Sequence, residues 1–220
     1  LLDICAELVF VCSVGNGSKK QVDVDSNSGL RKVREALMDL LDAIYTRRTV
    51  HKYLPDAVPQ ETLDKLLLAG HHAPNHKLTW PWRFTQVGAE TRQQLVPVAI
   101  ACKAVKKDLS DDMKAAITAK IVTPGALVVV SQVRSDNDFQ SKEDYAAVSC
   151  AIQNMMLVAH AEGLGTKWSS GGVTVHADTY SVLGIDPDME EITGFIWVGV
   201  PAQVPSIKRP ALIEVVRKLP

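Results

Sequence analysis

One segment, Lys142 to Glu162, sets the tightest limit on how this chain folds. Ala147, Cys150, Ala151, Asn154, Leu157, Val158 and Ala161 recur at helical spacing, yet Ala146, Met155 and Met156 make the other faces apolar too. A helix with so little polar surface must be covered on most sides. In a chain of 220 residues, a subunit interface is a natural cover. Two apolar runs suit central strands: Ala126 to Val130 (ALVVV), after the Pro124-Gly125 turn, and Ile192 to Val200. Arg83 to Val87 reads as a third strand and Thr166 to Ser169 as a short fourth.

Around these lie further helices. Leu40, Leu41, Ile44 and Tyr45 form one stripe, and Pro59 opens a helix whose face carries Leu63, Leu66, Leu67 and Gly70 until Pro74 stops it. Glu90 to Lys107 is helical with a break or kink expected at Pro97, and Asp111 to Ile121 follows. The order of elements predicts a layered α+β domain with a mixed sheet. No G-x-G-x-x-G follows a strand, so a dinucleotide cradle of the Rossmann kind is not expected. Gly15 to Gly29 has too few large apolar groups to order itself, which divides the chain into an N-terminal extension, 1–37, flexible or partly helical, and a domain over 38–220.

A formal charge of −1 gives no global field toward nucleic acid or an anionic membrane. The run from Ile4 to Val14 contains Glu7 and is too short to span a bilayer, and no secretory leader pattern is present. Cys5, Cys12, Cys102 and Cys150 show no C-x-x-C pairing, so reduced thiols and a cytoplasmic location are expected.

Arg47-Arg48-Thr49 places two guanidiniums beside a hydroxyl, a donor set suited to phosphate; alone it would read as cations at a helix C-terminus. About twenty-five residues later, Ala73-Pro74-Asn75-His76-Lys77 leads into Trp80-Pro81-Trp82-Arg83-Phe84, a loop able to bring donors and planar rings to an aromatic ring system. Together the two segments suggest a flavin mononucleotide site. His71, His72 and His76 could converge on zinc, but adjacent helical residues diverge by about 100° and no Cys or acid lies in the segment, so no metal is assigned. Trp168-Ser169-Ser170-Gly171-Gly172 reads as a strand-to-loop turn or as a close backbone approach to a ligand, and Lys208-Arg209 as a solvated tail or a reach to a phosphate. Asn154 reads as a satisfied buried amide. Hydrolase constellations are missing; binding groups without a chemical actor point to a cofactor enzyme.

These segments, with Gln153-Asn154-Met155 and Gly163-Leu164-Gly165-Thr166-Lys167-Trp168, resemble the nitroreductase family of FMN-dependent oxidoreductases, in its minimal-size bacterial branch, from Met38 to about Arg209. The resemblance implies an obligate homodimer with exchanged terminal segments and FMN at the interface. By position it assigns Arg47, Arg48 and Thr49 to the phosphate and pyrimidine side, His72 and His76 to flavin-contacting loop positions, Trp168, Ser169 and Ser170 to a cofactor-touching segment, and Lys208 or Arg209 to the phosphate. It implies hydride transfer from NADH or NADPH to the flavin and then to a nitroaromatic, quinone or related small acceptor by double displacement. The chemistry would be the flavin's, with no catalytic side chain. Thr49 stands for the more usual Ser, Ser169 for a common Arg and Trp80 for a common amide. The alternatives are a flavin-sequestering protein without turnover and a specialised family enzyme such as a reductive dehalogenase.

Overall fold

The computed structural model describes residues 38–105 and 108–220; the 1–37 extension lies outside the described residues. A four-stranded antiparallel sheet forms the middle layer in the order β2-β3-β5-β4: β2 is Trp82–Gln86, β3 Ala126–Val133, β4 Gly165–Ser169 and β5 Glu190–Gly199. Its mixed character comes from one parallel bridge, Thr49 to Thr166, along the free edge of β4. β1 (Lys52–Tyr53) and β6 (Pro201–Gln203) pair separately, antiparallel.

The two-residue period of the strands explains the layers. Val128 and Val130 of β3, with Ile196 and Val198 of β5, face a core built on α2 (Gln60–His71) and α5 (Asp138–Ala161). Leu127, Val129, Phe195 and Trp197 face the opposite core, closed by α3 (Ala89–Ala104), α4 (Asp111–Val122) and α7 (Ala177–Leu183). Every residue of β3 from Ala126 to Gln132 is buried, as a strand covered on both faces requires. Gly70 of α2 lets that helix approach α5 closely: a Cβ there would stand 2.9 Å from Met155 and 3.0 Å from Phe84. Asn154 donates to the Ala69 carbonyl at 3.2 Å, so the amide in the apolar line is partnered.

Three details differ from the sequence reading. α3 runs unbroken through Pro97, because burial of Leu95, Val98 and Ala99 on one face holds both halves. α5 starts at Asp138, four residues early, because Asn137 caps it by accepting from the Gln140 N–H at 2.9 Å. The stripe on α1 (Leu40–Thr46) points outward: Ala43 alone is buried, while Leu40 and Tyr45 are 65% and 66% exposed. Leu212, Ile213 and Val215 of the tail are equally bare. Apolar surface on this scale marks a face that meets another molecule.

Candidate flavin site

α1 ends at Arg47, and the chain then crosses to the edge of β4. Val50 N–H donates to the Thr166 carbonyl at 2.9 Å, and Leu54 N–H to that of Val200 at 2.9 Å. Val50 is buried against Gly165, where any side chain would strike it. This stitching fixes Arg47, Arg48, Thr49 and His51 along one strand edge.

The two arginines divide the readings that their sequence left open. Arg48 Nη1 donates to the carbonyls of Tyr45 and Arg47 at 2.7 and 2.9 Å, so this guanidinium closes the helix end. Arg47 does not: its Nη1 is buried and has no partner. Burial, then the charges of Arg209 and Arg48, lower its pKa, so the tail cation Arg209 acts on the same guanidinium. His160, in the last turn of α5, completes the cluster. Thr46 Oγ1 donates to the Asp42 carbonyl at 2.5 Å, so it accepts from His160 Nε2 at 2.8 Å, and the imidazole carries its proton on Nε2. Burial, then Arg47 and Arg48, push the His160 pKa down. A guanidinium with an unused buried donor, acted on by two further guanidiniums, forms an anion site.

From Thr166 to Ser169, β4 leads about 10 Å along the edge. It ends at a cavity of about 380 Å³ between the sheet, α3 and α4. His51, Lys120, Lys167, Ser169, Ser170 and Gly171 line it together with Phe195 and Trp197, and among the described residues no Asp or Glu does. Lys167 is half-buried, and burial, then Lys120 and Lys103, lower its pKa. Three ammoniums from three separate elements thus converge on an apolar-walled space, and that arrangement calls for a ligand with a negatively polarised edge. Ser169 Oγ accepts from Trp197 Nε1 at 2.8 Å and lies on the same face of β4 as Lys167, two residues earlier. Trp168 lies on the opposite face, packed against the core with Gly194 leaving room for its ring. Its Nε1 donates to the Thr193 carbonyl at 3.4 Å. Lys208 is exposed near Arg209 in sequence, and no contact ties it to the cluster.

His72 closes α2, and the His76 loop lies elsewhere. His76 lies 3.9 Å from Glu143 in the first third of α5, whereas His160 is seventeen positions further along that helix, about 25 Å away. The loop between them and β2 is strained: Lys77, Leu78 and Trp80 have φ of 57°, 53° and 47°. Each such residue costs about 1–3 kcal/mol, a cost that persists where neighbours enforce it. Here Asn75 Oδ1 accepts from the Trp80 N–H at 2.7 Å, and Thr79 Oγ1 donates to Asp144 at 2.6 Å. His71 is occupied as well, accepting at Nδ1 from Trp82 Nε1 at 3.2 Å.

Sequence reasoning missed His51, Lys103, Lys120, Lys167 and His160. A histidine two residues after Thr49, and a lysine two residues before Ser169 on the same strand face, were the available signals for His51 and Lys167. The other three are joined only by tertiary packing.

Comparison with known proteins now bears on this geometry. The model of the family described as "Nitroreductase family" matches residues 44–200, most of the chain. The chain belongs to the nitroreductase family. A Bacillus subtilis (strain 168) protein named "Putative NAD(P)H nitroreductase YfhC" is 32% identical over 173 residues, spanning 77% of this chain and 88% of that protein. A solved nitroreductase-like family protein from Bacillus cereus superposes with a TM-score of 0.71 at 26% identity, covering 83% of this chain and 96% of that one. A nitroreductase-type protein from Desulfovibrio desulfuricans, solved in complex with FMN, gives 0.67 at 27% identity, covering 83% and 98%. The family match ends at residue 200, so the tail with Arg209 lies beyond it.

Proposed function

We propose that this nitroreductase-family protein is an FMN-dependent NAD(P)H oxidoreductase that passes electrons to a small acceptor by double displacement. One observation carries the reading: a half-buried guanidinium, Arg47, whose buried Nη1 has no partner among the described residues, sits at one end of β4, and a cavity lined by lysines and by no acid of the described residues sits at the other. Arg47, Arg209 and the Thr49 hydroxyl suit a phosphate, and the cavity suits the ring. The donors therefore match a group that is anionic at one end and planar at the other. When bound, FMN supplies the two-electron chemistry, taking a hydride and giving it up. The chain's part is to hold and tune. Lys167, Lys120 and Lys103 offset negative charge at the cavity, and the backbone at Ser169 to Gly171 approaches it closely because Gly171 adopts a φ of 137°, open to glycine.

The site also needs a second chain. About 25 Å of α5 separates Glu143, the partner of His76, from His160 beside the arginines, so the His76 loop and the arginine cluster stand at different ends of that helix within one copy. An antiparallel pairing of two copies through α1 and α5, with tails exchanged, would bring each loop over the other's cavity and cover the bare apolar faces of α1 and the tail. This supports the homodimer reading. The sequestering alternative rested on the cation missing at Ser169. Lys167 supplies one on the same strand face, so nothing in the site favours it.

The test is the visible spectrum of the purified protein followed by anaerobic NADPH or NADH. Bound FMN that bleaches on addition of either supports the oxidoreductase; a colourless protein that ignores added FMN ends the reading.

A further inference from the structure

Trp80 combines three properties that rarely coincide: a large aromatic side chain, 45% exposure and a left-handed backbone at φ 47°. Neither exposure nor strain is left to chance. Its N–H donates to Asn75 Oδ1 at 2.7 Å and its carbonyl accepts from Arg83 Nη1 at 3.0 Å, so both backbone groups are pinned. Asn75 Nδ2 donates to Thr79 Oγ1 at 3.0 Å, and Thr79 anchors to Asp144, itself buried on α5. The indole leans on a second aromatic layer, 5.8 Å from the His71 ring at 34° and 6.0 Å from the buried Trp82 ring at 74°. The indole is thus braced by two aromatic neighbours while nearly half of the residue stays open to a ligand. An apolar ring held in this way, on a loop that the flavin reading brings over the partner's cavity, has the form of a prepared stacking wall.

We infer that Trp80 is a specificity-determining residue that stacks on the acceptor, selecting planar aromatic or quinonoid rings over acceptors without a ring face. The inference rests on the two-chain flavin reading and adds to it the residue whose ring face discriminates among acceptors. The strain serves orientation: a relaxed backbone would let the indole fold away from the site, and the Asn75 clamp prevents this. His71 accepts at Nδ1 from Trp82, which fixes the ring that backs the stack.

The experiment compares wild type, Trp80→Gln and Trp80→Phe as holoenzymes, each checked for FMN content and dimer mass. Menadione and nitrobenzene are the planar acceptors and ferricyanide is the acceptor without a ring face. Stacking of this kind predicts that the ratio of kcat/KM for menadione to that for ferricyanide falls about fivefold in Trp80→Gln, mostly through KM, and that Trp80→Phe restores most of it. Nitrobenzene titrated into the oxidised holoenzyme should show a matching loss of affinity by perturbation of the flavin absorbance. Parallel loss with both acceptor types, unchanged ratios or dissociation to monomers would each overturn the assignment. Wild-type FMN content and ferricyanide turnover report on the flavin reading separately, so the two failures can be told apart.

Discussion

The two halves of the proposed site are built in opposite ways. At the β4 edge, the guanidiniums of Arg47, Arg48 and Arg209 bring like charges together beside the His160 imidazole with a buried donor left over, and the segment that carries Arg47 is held by ordinary strand-edge hydrogen bonds. At the 75–80 loop the polar groups are partnered, His76 lying 3.9 Å from Glu143 and the Thr79 hydroxyl donating to Asp144, and it is the backbone that is strained. One region stores electrostatic imbalance and the other stores conformational imbalance. Unbalanced charge is relieved by a ligand, whereas an enforced loop shape is useful only for presenting side chains. Under the proposed two-chain reading, capture falls to the arginine edge and covering to the loop of the other chain.

The largest effect should come from separating the chains. Tyr45→Asp combined with Ile213→Asp puts charges on two bare apolar faces while leaving Arg47 and Arg209 in place; two such side chains contribute about 3 kcal/mol or more, so dimer dissociation should rise over a hundredfold in sedimentation, with flavin lost in step. A monomer that kept its FMN would break the comparison. Next, Arg47→Ala should weaken FMN binding about a hundredfold by fluorescence titration, with riboflavin affinity changed far less, since only FMN carries the phosphate. Equal losses for both ligands would move the phosphate elsewhere. Lys167→Met should lower the midpoint potential of bound FMN by roughly 30 mV, the two-electron equivalent of a tenfold preference. An unchanged potential would leave that lysine outside the site. The smallest effect is a pH slope. Because burial and the neighbouring arginines hold the His160 pKa below its ordinary 6.5, the unfolded chain takes up this proton first as pH falls. The stability contribution is present above about pH 6.5 and is lost below it, so the melting temperature of His160→Gln should fall slightly less than wild type between about pH 7 and pH 5.5. A steeper fall would reverse the sign assigned here.

Much of this was legible in the residues. The burial of α5, the two apolar strands and the Pro59 helix follow from periodicity and breakers, and Arg47-Arg48-Thr49 announces an anion site by residue type. Other features leave no local trace. Lys103, Lys120 and Lys167 sit on α3, α4 and β4, and packing of those elements is what gathers them. β1, two residues long, has no period to read. The α1 stripe was visible, but periodicity gives a face and not its direction, so the outward turn of Leu40 and Tyr45 required the fold. Nor do Lys77, Leu78 and Trp80 belong to residue types that favour positive φ; Asn75 imposes it through a side-chain contact five residues ahead.

The division of the site between two chains is most directly tested by a mixed dimer. One chain carries Arg47→Ala and Arg48→Ala, the other His72→Glu and His76→Glu, each pair expected to abolish FMN binding in its own homodimer. If capture and covering come from different chains, the mixed dimer rebuilds one intact site and binds one FMN. If each chain holds a whole site, both sites of the mixed dimer stay broken and it remains colourless, which would contradict the account.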